Sequence, residues 1–447
     1  MIVPLLLLLS LATVNLPLGG SISLLMLSIV TWKQSNRAEL SLAFLLSGKT
    51  VAGYASFLIG LPFSSGKIIS IAAIYILHKE ISLFTILNEK KLISACLYSS
   101  IVLFLAYLHG PKTFTCAEKL LDILYNVIIY VIIFYYLFKL TNINIKNIAL
   151  LTLVLSICYA YICINFELTK YITSIFESGT LRQALYSVNY INKYTNQSLF
   201  SYQTLGNSAT LALIMFLASY NDNKFYKCEF YLFLFFFTTT IYLIFISGAR
   251  QSSIILTISI ITIIFSRKKS FLLKEISKIF IALIFIIFTS YALLFNENIL
   301  TYLFHNDSFA DILNRRANFE AALHIINKYP FFGVGLGGYY IPGLNLPGNH
   351  NLYAHNIFLE LLTELGLVGT IAYLAAWLFP YLLVKQNNQS IAFLSTRTAS
   401  GTIAIPLVMF FLSRSMISSN MAFSVGTFII IYFLLTNKFV KQSNVKK

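Results

Sequence analysis

Runs of about 20 apolar residues recur along this chain, each long enough to cross a hydrocarbon core of about 30 Å as a helix. No other feature narrows the fold as far, because lipid offers no hydrogen bonds and a helix satisfies its own backbone. Candidate spans fall near Ile2–Leu16, Gly20–Trp32, Leu40–Gly60, Ile68–Leu87, Leu92–Leu108, Leu120–Phe138, Asn147–Phe166 and Thr204–Tyr220. They continue near Phe230–Ser247, Gln251–Phe265, Glu275–Phe295, His355–Val384, Thr398–Arg414 and Met421–Leu435. Of 447 residues, 58% are hydrophobic and 11% charged, against roughly 25% charged in soluble domains. The expected fold is all-α, a polytopic transmembrane helix bundle of about 12 to 14 spans, the first two runs being short enough for one re-entrant pair.

Charge sets the orientation. The formal net charge of +16 is spread in small clusters between apolar runs, which argues against a nucleic-acid partner. Lys33/Arg37, Lys90/Lys91, Lys139/Lys146, Lys224/Lys227, Arg267/Lys268/Lys269, Lys385 and the tail Lys438, Lys441, Lys446 and Lys447 fall on one side if the spans alternate. By the positive-inside rule that side is the cytoplasm, with both termini in it. The N-terminal run lacks a basic flank and a small-residue cleavage signal, so a retained first span is expected rather than a signal peptide. The five cysteines show no CxxC spacing and predict neither a disulfide framework nor a zinc site.

Two long connections then face outward, Glu167–Gln203 and Asn296–Ala354. The chain divides into helices over 1–295 with an outer loop near 167–203, a large, partly helical outer loop over 296–354, and C-terminal helices over 355–447. Arg182 falls in the first loop, Arg315, Arg316 and His350 in the second, while Arg250 and His355 stand at outward span ends. Basic residues that defy the topology at a membrane interface are functional candidates. Competing readings are a snorkelling anchor for Arg250 and a solvated surface charge for Arg182.

Most of the unusual polar chemistry lies between Asn314 and Tyr373. Asn314–Tyr329 has helical spacing, with Phe319, Ala322, Leu323 and Ile326 as an apolar stripe expected to lie on the membrane surface, and Pro330 ends it. Gly333-Val334-Gly335-Leu336-Gly337-Gly338 contains GxGxxG but follows a helix and a proline, not a strand, so a dinucleotide fold is excluded. Two readings stay open for it, a flexible glycine turn or backbone amides that approach a phosphate. His350 and His355 are five apart, which does not suit a helical metal pair, and no metal or cofactor is expected. An interfacial His355 suits general-base work on a sugar hydroxyl, and arginine guanidiniums suit diphosphate oxygens.

Four elements in order carry a family resemblance: Arg315-x-x-x-Phe319-x-x-Ala322, Tyr329-Pro330-Phe331-Phe332-Gly333-Val334-Gly335, His355-Asn356-x-x-Leu359-Glu360 and Glu364-x-Gly366-x-x-Gly369. With Ser247-Gly248-Ala249-Arg250 and Tyr202-Gln203 with Gly206-Asn207, the chain resembles the bacterial O-antigen polymerase and O-antigen ligase superfamily. Phe319 stands where that family often has tryptophan.

The resemblance implies metal-independent, inverting glycosyl transfer at the periplasmic face of the inner membrane. The donor would be an oligosaccharide linked to undecaprenyl diphosphate, and a chain-length regulator protein would be a further partner beside membrane lipid. His355 would activate the acceptor hydroxyl and Arg250 and Arg315 would hold the diphosphate. Arg316, adjacent to Arg315, and Arg182 are further diphosphate candidates. Two sizeable outer loops and the Tyr202-Gln203 element favour a polymerase over a ligase. A transporter of similar span number would show an internal repeat and midplane polar residues, whereas here the polar cluster is interfacial.

Overall fold

The apolar runs are helices wherever the structure describes them. The computed structural model describes residues 37–48, 65–80, 84–139, 143–165, 202–219, 227–247, 250–266, 306–339, 354–382, 399–418 and 421–435. The candidate spans Ile2–Leu16, Gly20–Trp32 and Glu275–Phe295, together with Arg182 and His350, lie outside the described residues.

In chain order the helices are α1 (Arg37–Ala43, continued by a π-helical turn over Phe44–Gly48), α2 (Ser65–Glu80), α3 (Phe84–Leu87), α4 (Lys90–His109), α5 (Phe114–Lys139), α6 (Ile145–Asn165) and α7 (Tyr202–Ala218). They continue with α8 (Lys227–Ser247), α9 (Arg250–Ser266), α10 (Asn306–Lys328), α11 (Ile357–Leu382), α12 (Ala399–Ser418) and α13 (Met421–Leu435). Among the described residues there is no strand. Three helices, α4, α5 and α11, contain stretches long and apolar enough to cross a membrane, and six shorter apolar helical stretches accompany them. The protein is an all-α helical membrane protein.

Of its apolar window, α5 buries 72% and α4 only 22%, so α5 is a central helix and α4 a peripheral one. Leu97, Tyr98, Ile101, Phe104, Leu105 and Leu108 all point outward from α4. Such a continuous apolar stripe is a liability in water and the ordinary surface of a helix in lipid. Lipid tails are as apolar as leucine, so burial alone does not drive these helices together and close packing must do so. Accordingly α5 meets α12 and α13 through aromatic edges, with Phe134 to Phe411 at 5.4 Å and Phe138 to Phe433 at 6.0 Å between ring centroids. Phe216 of α7 stacks on Phe236 of α8 at 4.2 Å.

A polar tie closes one end of the bundle. The buried Glu39 carboxylate of α1 accepts the Asn144 backbone N–H at 2.7 Å and the Asn147 side-chain amide at 2.9 Å. Asn144 in turn accepts the Lys146 N–H at 3.1 Å, so α6 starts on a satisfied first turn. The candidate site lies elsewhere, around the break in α11.

Candidate active site

Helix α11 is not continuous. Gly366 has φ 64 and ψ −175 inside it, a left-handed backbone that favours glycine. The break strands carbonyls before it and amides after it, which lipid cannot satisfy. The segment Tyr329–Tyr339 fills the gap. Val334 N–H donates to Thr363 O and Gly335 N–H to Glu364 O, each at 2.9 Å. On the other side Leu367 N–H donates to Pro330 O at 2.8 Å and Val368 N–H to Phe331 O at 3.0 Å. One glycine-rich turn thus replaces helical hydrogen bonds on both sides of the break.

The close approach needs the glycines. A Cβ on Gly333 (φ 65) would sit 2.6 Å from both Gly366 N and Thr363 O. Further along, Leu336 N–H donates to Ala106 O at 3.0 Å, and His109 Nε2 lies 3.3 Å from Gly333 O, tying the turn to the end of α4. Of the two readings left open for this segment, the phosphate cradle fails, since the amides of Gly333, Val334, Gly335, Leu336 and Gly338 all donate to protein carbonyls. The flexible turn fails as well, because the segment is a built joint.

Helix α10 begins at Asn306, earlier than its spacing predicts, and stops at Lys328 before Pro330 as expected. Its buried face is Asn318, Ala321, Ala322 and Ile325, which packs with Tyr339 and Ala354. Of the predicted stripe, Ala322 belongs to that face while Phe319 and Leu323 stay exposed, because small alanines allow the docking that bulkier rings would prevent. The Tyr339 hydroxyl donates to Asn318 O at 2.7 Å. Burial, reinforced by the nearby Glu360 and Glu364 charges, pushes the Tyr339 phenol well above its ordinary value.

Beneath the turn lies a charged cluster that the sequence reading passed over. Lys119 Nζ of α5 donates to Glu360 Oε1 at 2.6 Å and Glu364 Oε1 at 2.7 Å of α11. The lysine side chain is 2% exposed and the glutamates 0%; the Met421 backbone N–H of α13 also approaches the Glu360 carboxylate, while Glu364 Oε2 has no hydrogen-bond partner. Both glutamates stand inside an otherwise apolar run, which is itself a signal. Read only as elements of the family motif, they gave no hint of a partner, and a span boundary drawn at Leu120 excluded Lys119.

The N-terminal edge of α11 carries His355, a half-buried non-glycine residue with φ 56. Asn356 caps the helix, its Oδ1 accepting the Phe358 and Leu359 N–H groups at 3.0 and 3.3 Å. Its Nδ2 donates to Met416 O in the last turns of α12 at 3.3 Å. Two residues earlier in α12, Arg414 O accepts from Gln251 Nε2 of α9 at 3.4 Å. Ser252 Oγ donates to Asn207 Oδ1 of α7 at 2.9 Å, where both are buried.

The backbone positions of His355 and Arg250 each therefore stand one residue from a contact with the same end of α12, at Met416 and Arg414. Arg315 shares the helical register of Asn318, Ala322 and Ile325 in α10. Arg316 instead points to solvent and pairs with Glu320 at 2.7 Å, which raises its already high pKa. Arg182 is not brought into this arrangement by the described residues.

Residues 234–374 match a family model described as O-antigen ligase. The match runs from α8 through the glycine turn, His355 and the broken part of α11. Over this stretch the chain is similar to the O-antigen ligase family. No curated protein matches it. The segments packed at the break in α11 all fall within the matched residues except α4, α5 and the last turns of α12.

Proposed function

We propose that the protein is an O-antigen polymerase, joining undecaprenyl-diphosphate-linked repeat units at the periplasmic face of the inner membrane. The observation that supports a transfer site is that Gln251, next to Arg250, and Asn356, next to His355, both hydrogen-bond the last turns of α12. In this reading His355 removes the acceptor hydroxyl proton as that oxygen attacks the anomeric carbon from the face opposite the diphosphate. The sugar–phosphate bond breaks, and Arg250 and Arg315 take up the charge on the departing lipid diphosphate without a metal. Arg316 and Arg182 are secondary diphosphate contacts, and a chain-length regulator is a further partner.

Two sizeable loops with arginine, 167–203 and 296–354, favour polymerase. The ligase reading, transfer to lipid A–core, has the description of the matched family in its favour. Surface lipopolysaccharide from cells lacking the gene separates the two. Core carrying a single repeat unit marks the polymerase, and bare core with long polymer stranded on its carrier marks the ligase. In the complemented strain His355→Ala is expected to abolish transfer at normal protein levels; a wild-type ladder from that variant removes His355 from the mechanism.

A further inference from the structure

The charged cluster beneath the glycine turn has no part in the chemistry above, yet it is costly. Buried ion clusters are often less stabilising than apolar side chains of the same volume, and here Glu364 Oε2 lacks a hydrogen bond. Stability alone does not account for it. Its position does. Glu360 and Glu364 are one turn apart on segment 357–365, which lies between His355 and the break at Gly366. Past the break this segment has lost helical continuity, and its Thr363 and Glu364 carbonyls are held by the turn. A single contact would let such a half-helix swivel. Two contacts from one ammonium on the central helix α5, at 2.6 and 2.7 Å, fix both its rotation and its height.

We propose that Lys119, Glu360 and Glu364 are positioning residues, whose two ion pairs orient the half-helix 357–365 and thereby aim His355 and Asn356 at the ends of α9 and α12. The inference rests on the reading of His355 as the acceptor base. Misplacement of a catalytic group by about 1 Å costs rate far more than it costs binding, so the expected signature is a fall in kcat with KM held.

The test uses the full chain in lipid nanodiscs, with lipid-diphosphate-linked repeat units extracted from cells lacking the gene as donor. Glu364→Gln leaves a balanced Lys119–Glu360 pair and weakens the second attachment from an ion pair to a neutral hydrogen bond without stranding a charge. The triple variant Lys119→Met, Glu360→Gln, Glu364→Gln removes every charge together. Both are expected to stay monodisperse and to melt cooperatively, with kcat lowered roughly 10- to 100-fold and the donor KM within about twofold of wild type. Wild-type kcat in either folded variant overturns the positioning role. So does failure of Glu364→Gln to fold, since the cluster would then be a stability device. A His355→Ala control that keeps full transfer overturns instead the reading on which the inference rests.

Discussion

The lipid-facing wall around α4 and the joint around Gly366 are held together by different physics. The wall is regular helix with its apolar stripe outward, and the regular helices of the bundle meet by shape, as where Phe216 of α7 stacks on Phe236 of α8 at 4.2 Å. The joint is irregular backbone, held by four inter-segment hydrogen bonds across the break and two buried ion pairs. Packing tolerates substitution of similar volume; a joint of directed bonds in a low-dielectric interior does not. The candidate residue His355 opens the same helix that the rigid joint interrupts.

The contrast is broken hardest at the cluster. Lys119→Met alone strands two buried carboxylates, and a loss of about 3–5 kcal/mol is expected, visible as little extractable folded protein. Next comes Gly333→Ala. Its Cβ would meet backbone atoms of Gly366 and Thr363 at 2.6 Å, at a φ of 65 that a side chain disfavours, and about 2 kcal/mol of destabilisation is expected. The sharpening control is Gly369→Ala, which meets only the Leu365 side chain and should move the melting temperature much less.

On the packing side, Phe216→Leu should cost no more than about 1.5 kcal/mol and leave transfer kinetics unchanged; a loss as large as that of Gly333→Ala would erase the distinction. The smallest effect is expected from Tyr339→Phe, which removes one hydrogen bond worth about 1 kcal/mol. Because the folded-state pKa of Tyr339 is raised above its ordinary 10.0, its contribution is present in full below pH 10 and disappears as pH rises through the folded value. Thermal melts between pH 8 and pH 11 should therefore show an alkaline decline that the phenylalanine variant lacks.

The helices were legible because apolar length is a one-dimensional property. So was the order of the family elements, which singles out Arg250, Arg315 and His355 as candidates. What could not be read was pairing between distant residues. Nothing in Gly333-Val334-Gly335 announces that its amides serve Thr363 and Glu364, and nothing near Lys119 names partners more than 200 residues away. Which face of α10 docks on the protein could not be read, because size decides it: Ala321 and Ala322 pack inward, while Phe319 and Leu323 of the expected membrane-surface stripe stay exposed.

The break at Gly366 also constrains biogenesis. An unpaired amide in hydrocarbon costs several kcal/mol, so α11 has no cheap broken state until residues 330–335 reach it. Those residues are synthesised first and must wait outside the bundle, while Ala106, which takes the Leu336 amide, is older still. The nascent span is best satisfied as one straight helix, and the bend is a late exchange of partners once α4, the turn and α11 stand together. The competent site is thus completed after insertion, by backbone trading rather than by the translocation of another span.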